Sequence, residues 1–83
     1  MDKVITIFRN RRSVAMDRLY EGLVGFGIEA DLIQTIYINE SPEFFTFFGV
    51  HETPTVLCFT EGDEIKRLIG KEIDTNTLIN FLK

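Results

Sequence analysis

A chain of 83 residues leaves room for one domain around one core, since domains commonly run to roughly 100–150 residues. Hydrophobic residues make up 45% and charged residues 27%, with two prolines and six glycines, which excludes disordered, collagenous and coiled-coil classes. A net charge of −4 argues against non-specific nucleic-acid binding, and a single cysteine excludes both an internal disulfide and a cysteine-based zinc site.

The charge is uneven. Residues 1–20 hold five basic side chains (Lys3, Arg9, Arg11, Arg12, Arg18) against Asp2 and Asp17, so the acidity lies further along. No apolar run approaches the ~18 residues that span a bilayer. Met1-Asp2-Lys3-Val4 leads straight into a strand pattern, without the apolar stretch and small-residue cleavage site of a signal peptide. The expectation is a cytoplasmic protein with no membrane association and a single domain over residues 1–83.

Val4-Ile5-Thr6-Ile7-Phe8 is a β-branched, nearly continuous apolar run, the pattern of a strand buried on both faces. Arg9 to Arg12 breaks it with a polar loop. Ser13 reads as a helix N-cap with Asp17 in the early turns. Val14, Ala15, Leu19, Leu23 and Phe26 then recur at helical spacing, with Asp17, Arg18 and Glu21 on the opposite side, and Gly25 or Gly27 ends the helix. Residues 32–39 form a second β run, which makes strand, helix and strand one right-handed βαβ unit.

Ser41-Pro42-Glu43 starts a short helix: Ser can cap, Pro at the first helical position lacks an N–H that would be orphaned anyway, and Glu meets the positive dipole end. Phe44, Phe45, Phe47 and Phe48 follow, two of them expected in the core, and Gly49 stops the helix. Thr55 to Thr60 is a third strand, Glu61-Gly62-Asp63 a hairpin loop, and Glu64 to Ile69 a fourth, antiparallel strand. Asp74 or Thr75 caps a last helix that turns Leu78, Ile79, Phe81 and Leu82 inward. The predicted order is β-α-β-α-β-β-α.

Within that order, Phe48-Gly49-Val50-His51-Glu52-Thr53-Pro54-Thr55-Val56-Leu57-Cys58-Phe59, then Glu61-Gly62, sets an aromatic, a glycine and an aliphatic before Pro-Thr and a strand ending in a glycine turn. Gly70 precedes the last helix. Over essentially its whole length the chain resembles the thioredoxin-like superfamily in its short, glutaredoxin-sized form. The resemblance implies an α/β fold with a four-stranded mixed sheet of order 2-1-3-4. It places the first and last helices on one face and the Phe-rich helix on the other. It also implies a cis peptide before Pro54, leaving the Thr53 backbone open to an extended partner chain.

The departure from the family lies at the first helix. Where the resemblance expects Cys-x-x-Cys or Cys-x-x-Ser, this chain has Arg12-Ser13-Val14-Ala15. Thiolate attack needs a thiol at that helix N-terminus, so dithiol exchange has no nucleophile there. Ser13 has no base placed in sequence to activate it and reads as a cap. Cys58 falls among strand aliphatics, where a thiol behaves as a small inert hydrophobe. His51, the single histidine, reads as an exposed loop residue.

Three functions follow. The first is a redox-inactive protein-binding module with no catalytic residue, metal or cofactor. The second is a binder of glutathione or another anionic small ligand. The third is an oxidoreductase relative using Cys58 or an intermolecular disulfide. The first is the expectation, with Arg11, Arg12, Val50, His51, Thr53 and Pro54 as contact residues. Val50 is expected to supply apolar area, Thr53 backbone pairing and the arginines charge-assisted hydrogen bonds. Arg9 is grouped with Arg11 and Arg12 in a basic loop facing an anion.

Overall fold

The computed structural model describes residues 2–83. Its strands are β1 (Lys3–Arg9), β2 (Ile33–Tyr37), β3 (Thr55–Thr60) and β4 (Asp63–Ile69); its helices are α1 (Val14–Phe26), α2 (Pro42–Phe47) and α3 (Thr75–Leu82). Single 3₁₀ turns, Ala30–Leu32 and Gly70–Glu72, lead into β2 and follow β4. The sheet runs β2-β1-β3-β4, with β1 and β2 parallel and the other two pairs antiparallel. Ile7 sits at its centre, opposite Thr35 on one side and Val56 on the other.

Because successive strand residues point to opposite faces, β1 and β3 feed two cores. Ile5, Ile7, Val56 and Cys58 pack under α1 and α3 against Met16, Leu19, Leu23, Leu78, Ile79 and Leu82. Phe8 and Leu57 point the other way, onto Phe45 and Val50. Phe8 meets Phe45 edge-on with ring centroids 5.1 Å apart, and Phe48 lies edge-on to both Phe8 and Phe59. Of the α2 aromatics, Phe45 is buried and Phe48 partly so, while Phe44 and Phe47 face solvent.

Local chemistry sets the ends of the helices. The Ser13 hydroxyl accepts the Met16 N–H at 3.2 Å, and the Asp74 carboxylate accepts that of Thr77 at 3.0 Å. Gly27 closes α1 in the left-handed region (φ 109°), where its N–H reaches the Leu23 and Val24 carbonyls. Ser41 occupies the N-cap position of α2 without a side-chain cap bond; its backbone carbonyl instead accepts the Phe44 N–H. No helix among the described residues is long and apolar enough to cross a membrane.

The sequence-derived inward face of α1 needs correction. Met16, Leu19 and Leu23 are the buried residues, whereas Val14 is 67% and Phe26 56% exposed and Ala15 is also exposed. The stripe at i, i+3 and i+7 carries the two leucines and the methionine, and Val14 lies about half a turn away from it. β4 also begins one residue earlier than the hairpin signal suggested, at Asp63.

The two-sided core gives a measurable contrast. Leu57→Ala should lower stability by about 2–5 kcal/mol in urea unfolding, because Leu57 is fully buried beneath α2. Phe47→Ala should stay within about 0.5 kcal/mol of the parent, since that ring is 79% exposed. Equal losses would place Phe47 in the core and contradict this packing.

Candidate functional site

Two loops meet at one end of the sheet: residues 10–13, between β1 and α1, and residues 50–54, before β3. Asn10 joins them, its side-chain amide donating to the Thr53 hydroxyl at 3.0 Å. The first loop is shaped by Arg9, which belongs to β1 and is 95% buried. Its guanidinium forms an ion pair with Asp17 at 2.8 Å and donates to the carbonyls of Asn10, Arg11 and Ser13 at 3.0–3.3 Å. It also lies 5.3 Å from the centre of the Tyr37 ring. Asp17 sits in the first turn of α1, where the helix dipole favours an anion as well.

Arg9 is therefore not part of an anion-facing loop, as its sequence neighbours suggested. All its directions are taken by the protein. Arg11 and Arg12, the next two basic residues, are exposed and form no ion pair among the described residues. They stand at the surface because Arg9 holds the carbonyls around them inward.

The second loop is held from behind. The Thr53–Pro54 peptide is cis. The Pro54 carbonyl accepts the Gly70 N–H at 2.9 Å, and the buried Thr55 hydroxyl donates to the Glu52 carbonyl at 2.7 Å. Further back, Arg67 donates to the Phe48 and Gly49 carbonyls while its fork grips the Glu64 carboxylate at 2.9 Å. That pairing with Glu64 raises the Arg67 pKa above its usual value. Thr53 makes no backbone–backbone hydrogen bond among the described residues, which leaves its N–H and C=O without a main-chain partner there.

Of the expected contact residues, Arg11, Arg12, His51, Thr53 and Pro54 gather around this junction, with His51 exposed. Val50 does not serve as expected. It is 94% buried against α2, its N–H donating to the Phe45 carbonyl at 2.8 Å. The accessible apolar group beside Thr53 is Ile38, 40% exposed, at the rim of a depression of about 190 Å³ that also meets Phe45, His51 and Glu52. Asn10 and Ile38 were missed because an isolated Asn in a basic run and an Ile after a strand carry no motif.

Cys58 lies away from this junction. It is fully buried in β3, between Ile5 of β1 and Lys66 of β4, and faces the α1/α3 layer. Burial pushes its thiol pKa up; Lys66 pulls it back and Glu64 adds to the rise.

No protein-family model matches the chain, and no curated protein matches it. Solved structures do. A mutant thioredoxin from Halobacterium salinarum NRC-1 is 20% identical, with 98% of this chain and 72% of that one superposed at a TM-score of 0.79. Mitochondrial thioredoxin 3 from Saccharomyces cerevisiae is 18% identical (98% and 76% covered, TM-score 0.71). Thioredoxin 1 from Thermosipho africanus TCF52B is 23% identical (93% and 86% covered, TM-score 0.67).

The different work of the arginines should appear in stability. Arg9→Ala removes the donor from three carbonyls and should cost at least about 2 kcal/mol in urea unfolding. Arg12→Ala, at an exposed position, should change stability by less than about 0.5 kcal/mol. A silent Arg9→Ala would show that the loop holds its shape without the guanidinium.

Proposed function

We propose that this thioredoxin-fold chain is a redox-inactive, cytoplasmic protein-binding module. In this reading it holds an extended acidic segment of its partner between the Arg11–Arg12 loop and the Thr53–Pro54 loop. The observation that carries the reading is the junction itself: Thr53, without a main-chain partner among the described residues, is tied through Asn10 to a loop bearing two exposed arginines that form no ion pair among those residues. Thr53 offers main-chain pairing, the mode by which extended peptides are read without regard to side chains. Arg11 and Arg12 offer bidentate donors to carboxylates. Ile38 adds apolar contact area beside them.

Two features favour this reading over its alternatives. The solved neighbours named above are thioredoxins, whereas here the helix N-terminus carries Arg12-Ser13-Val14-Ala15 and the one cysteine is buried with a raised thiol pKa. A buried, protonated thiol is a poor nucleophile. For a small anionic ligand, the depression beside Thr53 is undersized: about 190 Å³ against the roughly 300–1,000 Å³ of small-molecule pockets.

The test has a chemical and a binding arm. In insulin reduction with dithiothreitol, the protein should give the no-protein rate; turnover abolished by Cys58→Ser would instead support the oxidoreductase reading. For binding, proteins retained by the immobilised chain from its source cell are compared with those retained by Arg12→Glu, and the one lost is purified and titrated. Arg12→Glu should weaken its affinity at least about tenfold, as expected for losing one partly desolvated charge-assisted bond, with melting unchanged. Amide shifts should cluster at Arg11, Arg12, His51 and Thr53. A footprint confined to α3 would overturn the site.

A further inference from the structure

The sheet has two open edges of opposite character. β4 presents Asp63, Glu64, Lys66 and Arg67, and Ile65 is the extra residue of a bulge opposite Cys58 and Phe59. Charge and a bulge are the usual devices that keep an edge from pairing. β2, Ile33-Gln34-Thr35-Ile36-Tyr37, has no charge and no proline, and pairs with β1 in unbroken register. It is an unguarded edge.

Its free backbone groups can be named. Ile38 donates to the Arg9 carbonyl across the β1–β2 pair at 3.1 Å. In a parallel ladder alternate residues serve one neighbour, so Gln34 and Ile36 turn their backbone groups to β1, and Ile33, Thr35 and Tyr37 turn theirs to the open edge. Two of these are already used: the Ile33 N–H donates to Ala30, and the Tyr37 carbonyl accepts from Glu40 and Ser41. The N–H and C=O of Thr35, the C=O of Ile33 and the N–H of Tyr37 remain.

That remainder is complementary to itself. With two β2 strands antiparallel about a two-fold axis at Thr35, Thr35 faces Thr35, Ile33 faces Tyr37 and Gln34 faces Ile36. The two Thr35 residues exchange both bonds, and each Tyr37 N–H meets the other copy's Ile33 carbonyl. The two satisfied groups, Ile33 N–H and Tyr37 C=O, fall opposite each other, so neither is left short. Thr–Thr and aromatic–β-branched pairs are favourable across strands. The pairing is confined to residues 33–37, because the chain leaves extended geometry at the Ala30–Leu32 3₁₀ turn before the strand and at the turn after Tyr37. Exposed Tyr20 and Phe44 flank the edge on its two faces and give a second copy further apolar contact.

We infer that β2 is the docking edge for a second copy of this chain, joining two four-stranded sheets into one eight-stranded sheet through antiparallel β2–β2 pairing centred on Thr35. The whole chain, studied by sedimentation equilibrium from micromolar to millimolar concentration, should show reversible dimers. Thr35→Lys and Thr35→Glu, each placing like charges together at the axis, should weaken dimerisation at least tenfold, and mixing them should restore it as a heterodimer. Ile65→Lys on the β4 edge should leave it unchanged. In the unmodified chain, Thr35 and Tyr37 amide exchange should slow with rising concentration, a readout that does not depend on any variant folding. A chain monomeric at millimolar concentration would overturn the inference. So would dimers indifferent to both Thr35 variants, dimers abolished by Ile65→Lys, or exchange at Thr35 and Tyr37 independent of concentration.

Discussion

The guanidinium of Arg9 is the interaction on which the arrangement of this end of the molecule depends. It sits almost fully buried where β1 gives way to the loop before α1, and it ties both together by donating to the loop carbonyls of Asn10, Arg11 and Ser13 and pairing with Asp17. A buried cation is tolerable only when it is well matched, and here each of the three guanidinium nitrogens has an acceptor. Because Asp17 also sits in the first turn of α1, the pair sets where the helix starts relative to the strand. Arg11 and Arg12 are left exposed on a loop whose Asn10, Arg11 and Ser13 carbonyls turn to Arg9. Their exposure is thus a consequence of how Arg9 is buried.

The short chain shapes the rest. Two helices cover one face of the sheet and one six-residue helix only part of the other. That second face relies on aromatic area, with Phe8, Phe45, Phe48 and Phe59 meeting edge-to-face, a geometry that adds attraction beyond the area buried. Val50 is drawn into this cluster, which is why it is lost to the surface. Arg67 anchors the chain as it leaves α2, and its pairing with Glu64 keeps the fork in place. The loop carrying Thr53 and Pro54 is therefore braced from β4 as well as from β3.

Most of the fold was legible because its signals are local. Ser13, Pro42 and Asp74 mark helix starts, the β-branched runs mark strands, and the Phe48–Phe59 stretch with Gly49 and Pro54, followed by Gly62 and Gly70, carries the resemblance that orders the sheet. The inward face of α1 was misread because Val14, Ala15, Leu19, Leu23 and Phe26 share a spacing almost as good as that of Met16, Leu19 and Leu23. Only the sheet beneath decides between them. Arg9 was misread for a related reason: in sequence it is one arginine in a basic run, and its burial depends on Asp17 and Tyr37, eight and twenty-eight residues away. Val50 and Ile38 exchanged roles because exposure at a loop depends on which apolar residue the aromatic cluster captures first.

The junction of the two loops owes nothing to thiol chemistry. Pro54 is held by Gly70, Thr55 by Glu52, and Thr53 by Asn10, so the second loop keeps its shape through backbone and hydroxyl bonds already required by β3 and β4. The first loop keeps its shape through Arg9. Neither scaffold passes through residues 12 or 15, the places where the resemblance would set cysteines. The supporting bonds therefore do not depend on which side chains stand at those two positions. In place of a thiol the surface gains the Arg12 guanidinium beside that of Arg11, two cations in a chain that is acidic elsewhere. In the proposed binding reading, attraction for an acidic segment would be focused on this end of the sheet, where the Thr53 backbone has no main-chain partner among the described residues. Screening by salt would weaken that attraction first, before any main-chain pairing at Thr53 was lost.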